Sequence, residues 1–116
     1  MLPIAFPTFF HLLFLLVAFH FILDFAIQGD FVAKFKARHI EGHYNSMWKW
    51  VLTAHAAAHA IPVLLFTGSI YLMLFMFISH FVIDYLKCEG KFGFDIDQIS
   101  HLFVILLISA ITYFML

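Results

Sequence analysis

Four pairs of ionisable residues recur at i,i+4 spacing in a chain that is otherwise strongly apolar: His20/Asp24, His55/His59, His80/Asp84 and Asp97/His101. Imidazole nitrogens suit zinc, iron, copper or nickel, and carboxylate oxygens complete such shells, so the set suits a divalent transition metal, zinc favoured over iron. Five histidines and three aspartates exceed what one tetrahedral ion needs. Either two ions bind, or several of the groups orient ligands and move protons. His55, His59, His80 and Asp84 are the first ligands to test, with His20, Asp24, Asp97 and His101 close behind. A spare carboxylate, Asp24 or Asp97, would act as general base. Gln28, two turns after His20, joins the candidate polar site together with Lys87 and Gln98.

Such a set works only if the elements that carry it bring it together. An i,i+4 step turns about 400° on an α-helix, so each pair projects from one face. The 116 residues are 65% hydrophobic and only 11% charged, where a soluble domain carries about a quarter charged. Most of the surface must therefore meet lipid. Apolar runs of about twenty residues are long enough to cross a bilayer, and four are expected, at roughly 8–28, 47–66, 69–87 and 95–116. The expected fold is all-α, a single transmembrane domain over 1–116 built as a four-helix bundle. Ionisable groups inside a bilayer are expensive unless they meet partners, water or a metal. Each span holds one pair. The first span lacks a basic leader and contains His20 and Asp24, so it is expected to be retained, not cleaved.

Thr67-Gly68-Ser69 predicts a tight turn and an antiparallel hairpin between the second and third spans. Asp95 followed by Gln98 resembles a capping box at the start of the fourth helix, and Asn45 or Ser46 is placed to cap the second. In the first connection, Phe31, Phe35 and Ile40 interleave with Lys34, Lys36 and Arg38, the pattern of a short helix lying at the membrane surface. All six basic residues, Lys34, Lys36, Arg38, Lys49, Lys87 and Lys91, lie in or beside the first and third connections. The positive-inside rule puts those connections in the cytoplasm and both termini outside, with a bacterial inner membrane the expected location. Trp48, Trp50, Tyr44 and Tyr85 fit an aromatic belt on that side. With this topology the four pairs fall in one layer, about 5–15 Å below the cytoplasmic interface.

Ala54, Ala56, Ala57, Ala58 and Ala60 surround the histidines of the second helix and permit close approach of neighbouring backbones. Pro62 removes one helical hydrogen bond there and either shapes a cavity beside His59 or is simply tolerated. Plainer accounts stand beside the functional one. Any single His–Asp pair is explained by a structural hydrogen bond. Asp97 complements a helix dipole, and Lys87 is placed to snorkel with Asp84 as its ion partner one turn back. His11, His39 and His43 read as surface residues, although His39/His43 repeat the spacing. Cys88 stands alone, which excludes a disulfide framework. No basic run is dense enough for nucleic acid.

His20-Phe-Ile-Leu-Asp24-Phe with Gln28, His80-Phe-Val-Ile-Asp84-Tyr-Leu-Lys87 and Asp97-Gln98-Ile-Ser-His101-Leu resemble a family of small bacterial and phage membrane proteins, domain of unknown function 3307. That resemblance spans nearly the whole chain and implies the span count and the choice of residues, not a reaction. A looser likeness, by analogy alone, is to membrane-bound metal-dependent hydrolases. The leading expectation is a membrane-embedded metal-dependent hydrolase acting on a lipid or lipid-linked, anionic substrate, with Lys87 and the basic loop holding the headgroup. Three alternatives differ in class. A metal-ion or proton transporter acting as a homo-oligomer needs a polar path that the apolar outer half lacks. Haem binding leaves the aspartates unexplained. A non-catalytic membrane interaction module would use the cluster to fix its packing.

Overall fold

The structure, a computed structural model, describes residues 9–38 and 45–115. Every element is helical. Helix α1 spans Phe9–Phe21 and runs on as a π-helical segment, Ile22–Ile27. The short helix α2 is Gly29–Phe35. Helices α3 (Trp48–Thr67), α4 (Ile70–Cys88) and α5 (Phe94–Met115) complete the chain. Four of these, Phe9–Ile27 counted as one, are long and apolar enough to cross a membrane. They agree with the expected spans to within about two residues at the described ends.

The spans form a ring in which α3 packs on α4, α4 on α5, α5 on α1 and α1 on α3, while α2 lies against α3. The bundle measures 49 × 25 × 24 Å, enough to cover a hydrocarbon core of about 30 Å and both interfaces. Apolar side chains such as Phe14, Trp50, Ile78 and Phe103 point outward and are exposed, as a lipid-facing surface requires.

The hairpin between α3 and α4 forms at the expected turn. Gly68 adopts a left-handed φ of 73°, and its N–H donates to the Leu64 carbonyl at 2.9 Å, closing α3. The Ser69 hydroxyl then accepts from the Leu72 N–H at 3.2 Å and caps α4. The cap position of α3 falls later than expected. A 3₁₀ turn, Asn45–Met47, leads into the helix, and Met47 stands at the cap position with no side-chain bond. The expected capping box is absent. Helix α5 begins one residue early, at Phe94, so Asp95 falls inside the first turn and is exposed, while Gln98 turns inward.

Each span buries a stripe at four-residue spacing that carries its polar pair. In α1 and its extension the stripe reads Leu12, Leu16, His20, Asp24; in α4, Leu72, Met76, His80, Asp84. In α3 it is Val51, His55, His59, Val63, and in α5 Asp97, His101, Ile105, Ser109. Helices α1 and α4 run one way and α3 and α5 the other, so these stripes align by chemistry. A hydrophobic core of Leu12, Leu16, Ala60, Val63, Leu72, Met76, Val104, Ile105 and Ile108 fills the hairpin end. The polar residues meet at the other end, beneath α2.

Candidate metal centre

All eight expected residues converge. Asp24, Asp84 and Asp97 form three nodes among the imidazoles. Asp24 Oδ1 lies 2.9 Å from His59 Nε2 and 3.3 Å from His55 Nε2, and its Oδ2 lies 3.5 Å from His20 Nε2. Asp84 Oδ2 lies 3.2 Å from His55 Nε2 and 3.7 Å from His80 Nδ1, while its Oδ1 stands 3.1 Å from His101 Nε2. Asp97 Oδ1 is 3.3 Å from that same His101 nitrogen. The rings are packed together, His80 being stacked between His59 and His101 with centroids 3.8 and 4.1 Å away.

His101 Nε2 and Asp84 Oδ1 are hydrogen-bonded at 3.1 Å, but several of the other contacts lack hydrogen-bond direction. His55 Nε2, His59 Nε2, both ring nitrogens of His80, Asp24 Oδ1 and Asp97 Oδ1 are buried with no hydrogen-bond partner. Unpaired buried polar atoms are costly, and a cluster of them calls for a missing partner. Ligands held about 2.0–2.1 Å from a common ion at tetrahedral angles stand roughly 3.3 Å apart. The observed spacings match that arrangement. Three groups have one ligand atom from each member within 4.8 Å of the others: His20, Asp24, His59 and His80; His55, His80 and Asp84; Asp84, Asp97 and His101.

Charge is compatible with a bound cation. Three buried carboxylates face one buried ammonium, that of Lys36, among the described residues. With neutral imidazoles the layer carries a formal charge of −2. A net charge in a low-dielectric interior must be offset, and protonated imidazoles or a bound cation would each do so.

Lys36 is the residue that the sequence reading missed. It was expected on the membrane surface, yet it is 6% exposed and donates to Asp84 Oδ2 at 3.1 Å and to Gln28 Oε1 at 2.8 Å. As the C-cap of α2, Lys36 keeps helical φ/ψ and its N–H donates to the Val32 carbonyl at 3.2 Å, so it continues the face that carries Val32. Lys34, two residues earlier, stays exposed over the Phe35 ring. Arg38 pairs with Glu89, so the chain leaving α2 is tied twice to α4 and its end. Two residues apart on a helix, Lys34 and Lys36 point to opposite sides, and Lys36 shares the inward side with Val32.

The other polar candidates divide. Gln98 is central, its amide nitrogen donating to Asp24 Oδ2 and to Asp97 Oδ2, both at 3.1 Å, and its Oε1 lying 3.0 Å from His20 Nε2. Gln28 is a buttress. Its amide donates to the Asp24 carbonyl at 3.1 Å while its oxygen holds Lys36. Lys87 lies over the Phe94 ring, 5.7 Å from its centroid, and Asp84 takes Lys36, not Lys87, as its ion partner. Asp97 is buried, unlike Asp95 in the same turn, so its dipole role does not account for its placement. His11 is exposed on α1, and His39, His43 and Tyr44 lie outside the described residues.

Local backbone irregularity coincides with the site. The π segment that carries Asp24 widens the first helix just before Gly29, whose φ of 71° turns the chain into α2. Such segments occur frequently at functional sites. A small cavity of about 10 Å³ lies beside His20 and His59, walled by Leu16, Pro62, Val63 and Ile105 among others. Pro62 thus lines space next to His59, and that volume is of the order of one water.

Comparison with curated proteins and with solved structures gives no match. The family described as Protein of unknown function (DUF3307) matches residues 12–116, from the buried stripe of α1 through the whole centre, and the chain belongs to that family.

Proposed function

We propose that the polar layer is a divalent-metal centre, with zinc the favoured ion, and that the protein is a membrane-embedded metal-dependent hydrolase of a lipid or lipid-linked substrate. The observation that carries this reading is the convergence of buried, unpartnered imidazole nitrogens and carboxylate oxygens at ligand-to-ligand spacing. A bound divalent ion would supply Lewis acidity, polarising a carbonyl or phosphoryl oxygen and making water more acidic. The chain's own groups supply the rest. Asp24, beside the small cavity's His20 and His59, is placed to take a proton from an attacking water, and Gln98 holds its second oxygen. Lys36 brings a fixed positive charge to the same layer, suited to an anionic headgroup entering from the α2 side. On the charge asymmetry of the connections, that side is the cytoplasmic one.

Two of the alternatives lose ground. The hairpin end is sealed by Leu12, Leu16, Val63, Ile105 and Ile108, which disfavours a through-path for ions. The stacked imidazoles leave no slot for a porphyrin between them.

The test is elemental analysis of detergent-purified protein, followed by incubation with phospholipid and lipid-phosphate vesicles before and after chelation. Stoichiometric zinc, with hydrolysis that stops on chelation and returns with zinc, is the expected outcome. Asp24→Asn should retain metal and lose turnover. Protein without metal, or hydrolysis indifferent to the chelator, would overturn the proposal.

A further inference from the structure

The arrangement around Asp84 points beyond the presence of a metal to the number of ions. We infer that the centre is dinuclear and that Asp84 bridges the two ions through its two oxygens; this inference rests on the metal reading above. The two ligand groups on the α4 side, His55/His80/Asp84 and Asp84/Asp97/His101, share Asp84 and no other residue. They also approach it from different directions. Oδ2 faces His55 Nε2 and His80 Nδ1, whereas Oδ1 is hydrogen-bonded to His101 Nε2, a contact that an ion between them would replace and that Asp97 Oδ1 flanks. A carboxylate whose two oxygens face separate nitrogen donors is built to span two cations. Helix bundles assemble such carboxylate-bridged pairs from side chains on facing helices, and here α3, α4 and α5 each contribute.

Lys36 fits this role without competing for it. Its ammonium meets Asp84 Oδ2 while Gln28 holds it from the other side, a contact that would orient a ligating carboxylate. Asp84 therefore has a fixed rotamer set by Lys36 on one oxygen and His101 on the other. The formal −2 of the layer becomes +2 with two divalent ions. An excess of that sign favours an anionic substrate, and paired ions suit in-line displacement at a phosphoryl group, clamping both attacking and leaving oxygens. A phosphate ester or diphosphate carried on a lipid is the substrate class this centre fits. His20, Asp24 and His59, with Gln98, then stand beside the pair as the proton-handling flank.

The full chain in detergent, stripped with chelator and reloaded with Mn(II) alone, gives the test. Two Mn(II) per chain with the spectrum of a spin-coupled pair is the expected result in electron paramagnetic resonance. His101→Ala should bind one ion with an isolated-ion spectrum, and Asp84→Glu should restore coupling that Asp84→Asn abolishes. Ser109→Ala, in the apolar half, should keep two coupled ions. One ion per chain, or two uncoupled ions, in the unsubstituted protein would overturn the bridge while leaving a metal centre standing. No bound ion would remove the metal reading itself. Because the decisive measurement is made on the unsubstituted chain, a misfolded variant does not obscure it.

Discussion

The two ends of this bundle are built from the same stripes, and they differ in what a buried atom asks of its neighbours. At the hairpin end Leu12, Leu16, Leu72, Met76, Ile105 and Ile108 meet, and close packing satisfies them. One or two helical turns away, the same stripes present His55, His59, His80, Asp24 and Asp97, which keep buried polar atoms without hydrogen-bond partners. Apolar contact tolerates many arrangements of similar volume. A layer of convergent ligands tolerates few. Under the metal reading, the hairpin end supplies stability in the usual sense and the α2 end the chemistry.

The sharpest way to break this contrast is to remove the carboxylate with the most partners. Asp84→Ala strands the Lys36 ammonium and the His101 ring, and removing one member of a buried ionic network costs about 3–5 kcal/mol. The variant should unfold well below the parent in a thermal scan in detergent and retain little metal. At the apolar end, Ile108→Ala empties space in a fully buried site and should cost roughly 2–4 kcal/mol. Metal content should be unchanged there. A core variant that loses metal as readily as Asp84→Ala would show that the ends are not separable.

Lys36 gives the next largest effect and an internal control. Lys36→Met removes charge-assisted hydrogen bonds to Asp84 and Gln28 and should cost about 1.5–3 kcal/mol in the chelated protein. With metal bound the loss should be smaller, since the ion neutralises Asp84. Lys34→Met, on an exposed side chain, should change stability by less than about 0.5 kcal/mol. Comparing the two melts with and without chelator checks both statements. Equal effects would mean that Lys36 is a surface residue.

That pair also marks what the sequence makes legible. The helices and the four ligand pairs are readable because hydropathy and i,i+4 spacing are local properties, expressed within one element. The Thr67-Gly68-Ser69 turn is readable for the same reason. Gln98 was placed in the site, but its simultaneous contacts to His20, Asp24 and Asp97 depend on α1 and α5 being neighbours. Lys36 is harder, because which face of α2 turns inward is set by its packing against α3, which spacing within α2 does not tell. The π segment at Asp24 is hidden as well, since nothing in Ile22–Ile27 departs from an ordinary apolar helix pattern. Asp95 misled because capping geometry depends on where α5 starts, and that shifted by one residue.

The smallest expected effect separates two kinds of unpartnered atom. Ser109 Oγ, at the apolar end of the α5 stripe, is fully buried and makes no hydrogen bond. Other hydroxyls in the spans bond back to their own helices, Thr67 to Val63 at 2.6 Å and Thr112 to Ile108 at 2.8 Å. An isolated orphan is a plain cost, so Ser109→Ala should be neutral or raise stability by up to about 1 kcal/mol, with metal binding unaltered. The orphans of the polar layer behave in the opposite way under the metal reading: removing His80 or Asp97 should destabilise, because each lacks only the ion that completes it. Should Ser109→Ala lower the melting temperature or the metal content, the hydroxyl would belong to a polar path reaching into the apolar half. The division between the two ends would then have to be redrawn.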